Sequence, residues 1–73
     1  NEETREGAKR VWSALAEHGQ LTPEQVIGVL GLQKDTSGGP ASMADRNFLR
    51  AVRQEMIASG HVRVDDGILS RAS

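Results

Sequence analysis

Five residues with the chemistry of base and phosphate recognition crowd into one short stretch: Arg46, Asn47, Arg50, Arg53 and Gln54. An arginine can donate two parallel hydrogen bonds to the guanine edge. Asparagine or glutamine can exchange two with adenine. At 100° per residue, a helix through this stretch projects Arg46, Arg50 and Arg53 within about 60° of one another, flanked by Asn47 and Gln54. Phe48, Val52 and Met56 fall on the opposite side. The arginine face lacks the Glu–Lys pairs that decorate a merely solvated helix, and Asp45 and Glu55 lie off its centre.

Other chemistries find little material. There is no cysteine, hence no disulfide, thiolate ligand or thiol nucleophile. His18 and His61 are the only histidines, too few for an ordinary all-protein zinc site. No Ser–His–Asp spacing or pair of catalytic carboxylates stands out, so the segment is expected to be no enzyme and to need no cofactor. Trp12 and Phe48, the only aromatics, both fall at inward helical positions. That leaves no platform for stacking single-stranded bases.

The scaffold that holds the arginine face must be small. Seventy-three residues make one domain, and 37% hydrophobic residues at a net charge of −1 are too apolar for a disordered tail. No apolar run approaches the ~18 residues of a membrane span. The charged beginning, Asn1 to Glu6, is not a signal sequence. An intracellular location follows as the expectation, in cytoplasm, nucleoid or nucleus. The chain starts on Asn and not Met, so residues 1–73 read as a domain excised from a longer protein, or as a processed chain, with 1–3 as a flexible end. The charge is uneven. Residues 1–31 sum to −2, whereas 43–63 sum to +2, and arginines outnumber lysines seven to two.

Periodicity predicts three helices and a hairpin. The first helix spans Thr4 to His18, with Ala8, Val11, Trp12 and Leu15 inward. Gly19 closes it in the left-handed conformation. Thr22, Pro23 and Gln25 make a capping box with proline at the first helical position. The second helix turns Val26, Ile27 and Leu30 inward and stops near Gly31. Residues 33–41 form a loop by composition and are expected to be the most mobile internal segment. The third helix starts between Pro40 and Ala44, capped by Gly39 or Ser42, and ends at Ser59-Gly60. Its inward residues are Phe48, Leu49, Val52 and Met56. Val62–Val64 and Ile68–Ser70 alternate like strands around Asp65-Asp66-Gly67. A two-residue loop there pairs Val64 with Leu69, and a three-residue loop pairs Val64 with Ile68. The expected core is Val11, Trp12, Leu15, Val26, Ile27, Leu30, Phe48, Leu49, Val52 and Met56.

Helix, short extended link, helix, loop, helix, hairpin is the order of a winged helix-turn-helix domain, and over residues 4–71 the chain resembles that superfamily. The resemblance implies a mainly α fold with a small β-hairpin. Leu21 would be its one-residue first strand, and the final hairpin its wing. The third helix would enter the major groove, with Ser42, Arg46, Asn47 and Arg50 nearest the bases and Arg53 and Gln54 towards phosphates. Two features depart from the pattern: about nine residues separate the second and third helices, and the wing turn is minimal.

Three residues outside the helix complete the expected contact set. Lys34 and Ser37 belong to the loop, where the N–H groups of Ser37, Gly38 and Gly39 beside a helix start could hold a phosphate. Arg63 lies in the wing, whose tip, Asp65 and Asp66, is expected to stay clear of a duplex. The leading expectation is a sequence-specific module for double-stranded DNA in a transcription regulator, replication protein or mobile-element protein. The alternative is a protein-interaction module within a larger complex, engaging other domains of the same protein or a separate partner. It is favoured by the acidic net charge and wing tip, and Ile57 near the arginine face weighs on the same side. RNA-hairpin binding is a third option. No membrane partner is expected.

Overall fold

The computed structural model describes residues 1–72. Its first helix, α1 (Glu2–His18), begins earlier than periodicity predicts because Asn1 caps it. The Asn1 side-chain oxygen accepts the Thr4 N–H at 2.9 Å. Residues 2 and 3 are therefore a helical turn and not a loose end. Glu2 and Glu3 there meet the positive end of the helix dipole. Gly19 ends the helix at φ 84°, its N–H bonding the Leu15 carbonyl. A two-residue strand, β1 (Gln20–Leu21), leads into α2 (Pro23–Val29). The capping box is complete: Thr22 Oγ1 accepts from the Gln25 N–H, and Gln25 Oε1 accepts from the Thr22 N–H.

The third helix is α3 (Met43–Ala58), capped by Ser42 and not by Gly39. Ser42 Oγ accepts the Asp45 N–H at 3.0 Å. Strands β2 (Val62–Asp65) and β3 (Ile68–Arg71) follow. Val64 pairs with Leu69 and Asp65 with Ile68, so the loop has two residues. Asp66 at φ 55° and Gly67 at φ 78° both take the left-handed conformation that a primed hairpin turn requires. β3 is the central strand and also pairs with β1, Leu21 opposite Leu69.

Three helices and a small three-stranded antiparallel sheet thus surround one core, an arrangement compatible with a winged-helix layout. No described helix is long and apolar enough to cross a membrane.

The core comprises Val11, Leu15, Leu21, Val26, Ile27, Leu30, Leu49, Val52, Met56, Val62 and Leu69. Phe48 packs against it half-buried. Trp12 does not belong to it and stays 37% exposed. The buried stripe of α1 is Thr4, Gly7, Val11 and Leu15. A hydroxyl and a glycine in that stripe escape a count of apolar residues, which swings the apparent inward face towards Trp12. Gly7 has a steric reason. A Cβ there would lie 2.9 Å from Val52 Cγ2 and 3.1 Å from Phe48 Cζ, so only glycine lets α1 and α3 come this close.

Residues 33–41 are more structured than their composition predicts. Lys34 and Pro40 form an antiparallel bridge. The Asp35 N–H bonds the Gly39 carbonyl at 2.8 Å, and the Ala41 N–H bonds the Gln33 carbonyl at 2.9 Å. The segment is a small closed excursion held by its own backbone bonds.

Candidate nucleic-acid interface

Helix α3 sets its arginines on the flank turned towards this closed loop. Arg46 and Arg50 are exposed and Arg53 is half-buried. All three line one groove of about 460 Å³, whose other wall is Ser37, Gly39 and Pro40 and which Leu49 also lines. Arg53 reaches farther and also lines a neighbouring recess beside Pro23, Glu24 and Ile27 of α2. Its side chain therefore sits where α2, the loop and α3 meet.

The charges in this groove are not neutralised by ion pairs. The one ion pair among the described residues joins Lys9 and Glu6 on α1, at 4.0 Å. None of Arg46, Arg50 and Arg53 lies within that distance of a described carboxylate. The Arg53 Nε–H is buried and meets no acceptor among the described residues. A buried donor without a partner carries a desolvation cost of about 1–3 kcal/mol. Clustered like charges beside low-dielectric walls also concentrate the field into the groove.

The other expected contact residues are dispersed. Ser42 caps α3, so its oxygen is engaged as an acceptor while its hydroxyl proton remains free to donate. Asn47 and Gln54 are exposed beside the arginine stripe and outside the groove. Lys34 is exposed at the loop base, and Arg63 on β2 pairs with Ser70; neither lines the groove. The wing is short. A Cβ at Gly67 would lie 3.4 Å from Pro23 Cγ, so the tip rests near the start of α2 and is no free arm.

The loop corrects one expectation outright. Its N–H groups are not a vacant phosphate clamp, because Asp35 fills it. Asp35 Oδ1 accepts the Ser37 hydroxyl at 2.6 Å, the Ser37 N–H at 2.9 Å and the Gly39 N–H at 3.0 Å. The Gly38 N–H bonds the Asp35 carbonyl. Ser37 thus reaches the groove as a side chain already committed to a carboxylate.

These donors hold the Asp35 carboxyl below the ordinary aspartate range, the Ser37 hydroxyl contributing most and the Arg46 charge least. A depressed carboxylate pKa adds stability above the ordinary range, and that stability fades as pH falls through the lowered value. The Asp35 side-chain clasp on Ser37 and Gly39 should therefore persist at neutral pH and loosen only in acid below the ordinary aspartate range. Nuclear magnetic resonance titration should place the Asp35 midpoint below that of a free aspartate, with the Ser37 and Gly39 amides moving in the same step. A midpoint at or above the free value contradicts the clasp.

Two apolar side chains join the same helix face. Met43 is 71% exposed and Ile57 48% exposed, bracketing the arginines at the two ends of α3. Met43 escapes the sequence reading because a residue in a first helical turn carries little weight in a periodicity count. Asp35 escapes it although its signature was legible: an aspartate two residues before Ser and four before Gly is the pattern of a side chain that bonds its own turn.

Comparisons with protein-family models, with curated proteins and with solved structures find no match.

Proposed function

We propose that this chain is a winged-helix domain that binds double-stranded DNA through α3 in the major groove. One observation carries the reading: three arginines on one helix face, without carboxylate partners among the described residues, converge on a single groove. Arg46, Asn47 and Arg50 occupy the N-terminal half of α3, the part that approaches base edges in this docking mode. Arg53, farther along α3 and lining the same groove, takes the phosphate contact in this reading. The fitting role is intracellular: the DNA-reading part of a regulator, a replication protein or a mobile-element protein. The reading assigns no catalysis, cofactor or metal.

The roles separate by experiment. Arg46→Ala or Arg50→Ala should relax sequence preference, since a bidentate base contact is worth about 1–3 kcal/mol of discrimination. Arg53→Ala should weaken all sequences alike and lower the salt slope by about one. Selection from a random duplex library with each variant, followed by salt titrations on the preferred site, measures both. Identical selected sequences for wild type and Arg50→Ala would remove Arg50 from base reading.

A second reading has its own support. The exposed Met43 and Ile57 on the arginine face suit a protein interface, where apolar contact joins arginine at the centre. In that case α3 meets an acidic protein surface, and duplex DNA fails to bind even at low salt.

A further inference from the structure

The terminal hairpin leaves an open sheet edge. β3 is the central strand, so β1 and β2 each have a neighbour on one side only. β1 has two residues and runs straight into the cap of α2, which leaves little to pair. β2 has four, Val62–Asp65. An exposed edge is ordinarily blunted by proline, a bulge or lysines. β2 has none of these, and its pairing with β3 is unbroken from Val62 to Asp65.

The hydrogen-bond alternation determines which groups this edge offers. The Ala72 N–H bonds the His61 carbonyl at 2.9 Å, so His61 and Ala72 form a bonded pair in the register of the β2–β3 ladder. Bonded and non-bonded pairs alternate along an antiparallel ladder. Arg63 and Asp65 therefore turn their main-chain groups towards β3, and Val62 and Val64 turn theirs outwards. The Val64 side chain is 39% exposed at the same edge. Arg63 and Asp65 project together from the opposite face of the strand. Both are exposed, and neither belongs to an ion pair among the described residues.

These positions suit a second copy of the chain. Only residues with outward main-chain groups can form bonded pairs across the edge. The antiparallel registers open to two copies therefore set Val62 against Val62, Val62 against Val64, or Val64 against Val64. With Val62 against Val64, Arg63 meets Arg63, and like charges directly opposite repel. With Val62 against Val62, Arg63 meets His61 and Asp65 meets no residue of the other strand. With Val64 against Val64, Arg63 of each copy lies opposite Asp65 of the other. That contact falls in a non-bonded pair, where side chains stand closest, and two-fold symmetry makes it twice.

We infer that the chain self-associates through β2, edge to edge and antiparallel about Val64, joining two three-stranded sheets into one. The main-chain register and the Arg63–Asp65 charge complementarity together select a second copy as the occupant. A four-residue strand makes a small contact, so the association is of the weak, transient class. It does not rest on DNA binding by α3.

Sedimentation velocity of the wild-type domain, in a series reaching millimolar protein, should show a monomer–dimer equilibrium. The Val64 amide resonance should shift over the same series. Arg63→Asp and Asp65→Arg each set like charges opposite one another across the edge, and each should weaken self-association about tenfold or more. Mixed in equal amounts, the two variants restore opposite charges at both contacts. The mixture should associate about as strongly as the wild type, a recovery that unfolded variants cannot produce. Val64→Pro removes an N–H that β3 does not use and should abolish association with the β2–β3 ladder intact. No concentration dependence up to millimolar protein overturns the inference. Undiminished association in either charge variant, a mixture that fails to recover, or association that survives Val64→Pro overturns it as well. Duplex binding, measured in separate dilute samples, reads the α3 proposal on its own.

Discussion

Leu15→Ala should destabilise the domain by about 2–5 kcal/mol. Leu15 is fully buried at the C-terminal end of the α1 stripe, and α1 packs on α3, α2 and the sheet. Truncation removes contacts to several elements at once, and the helix backbone cannot collapse to refill the space. A domain of this length holds only roughly 4–10 kcal/mol in total. The variant should therefore unfold in far less denaturant than wild type, or be partly unfolded in buffer. Trp12→Ala supplies the contrast. Tryptophan is the larger residue, but at 37% exposure it should lose less than Leu15 does. Urea titrations followed by circular dichroism give both values. A larger loss at Trp12 than at Leu15 would show that the indole, and not the leucine, anchors α1.

Much of this architecture is readable in the residues, and the reason is local chemistry. Thr22, Pro23 and Gln25 specify the start of α2 by their own hydrogen bonds, and Gly19 specifies the end of α1. The Asp66-Gly67 turn is likewise local, although only strand pairing decides between its two registers. What escapes the sequence depends on neighbours distant in the chain. Trp12 lies outside the core because the buried stripe of α1 runs through Thr4 and Gly7, and Gly7 takes the close contact with Val52 and Phe48 of α3. Leu21, Val62 and Leu69 join the core only once β3 lies between β1 and β2. At the arginine face, helical spacing places Arg46, Arg50 and Arg53 together. It gives no sign that the loop forms the opposite wall, or that Asp35 occupies the loop's donors.

Replacing Arg46, Arg50 and Arg53 together with glutamine should lower duplex affinity by about a hundredfold or more. The estimate takes about 1 kcal/mol or more for each arginine contact and about 1.4 kcal/mol for each tenfold. Glutamine keeps the side-chain stems and removes the charges. Arg46 and Arg50 are exposed and the Arg53 Nε–H has no partner to lose, so the fold should survive. An unchanged melting temperature with weakened binding separates recognition from stability. Unchanged binding in the triple variant would move the DNA contact off α3.

The central claim, that α3 docks its arginine face on DNA, is tested most directly by salt titration of the wild-type domain on random-sequence duplex DNA, where there is no site sequence to read and Arg46 and Arg50 fall to phosphates together with Arg53. Each phosphate neutralised contributes about −0.9 to the slope of log affinity against log salt. Three arginines acting together predict a slope of about −3, falling towards zero in the triple glutamine variant. No binding at low salt, or a wild-type slope near zero, would contradict the DNA-binding account.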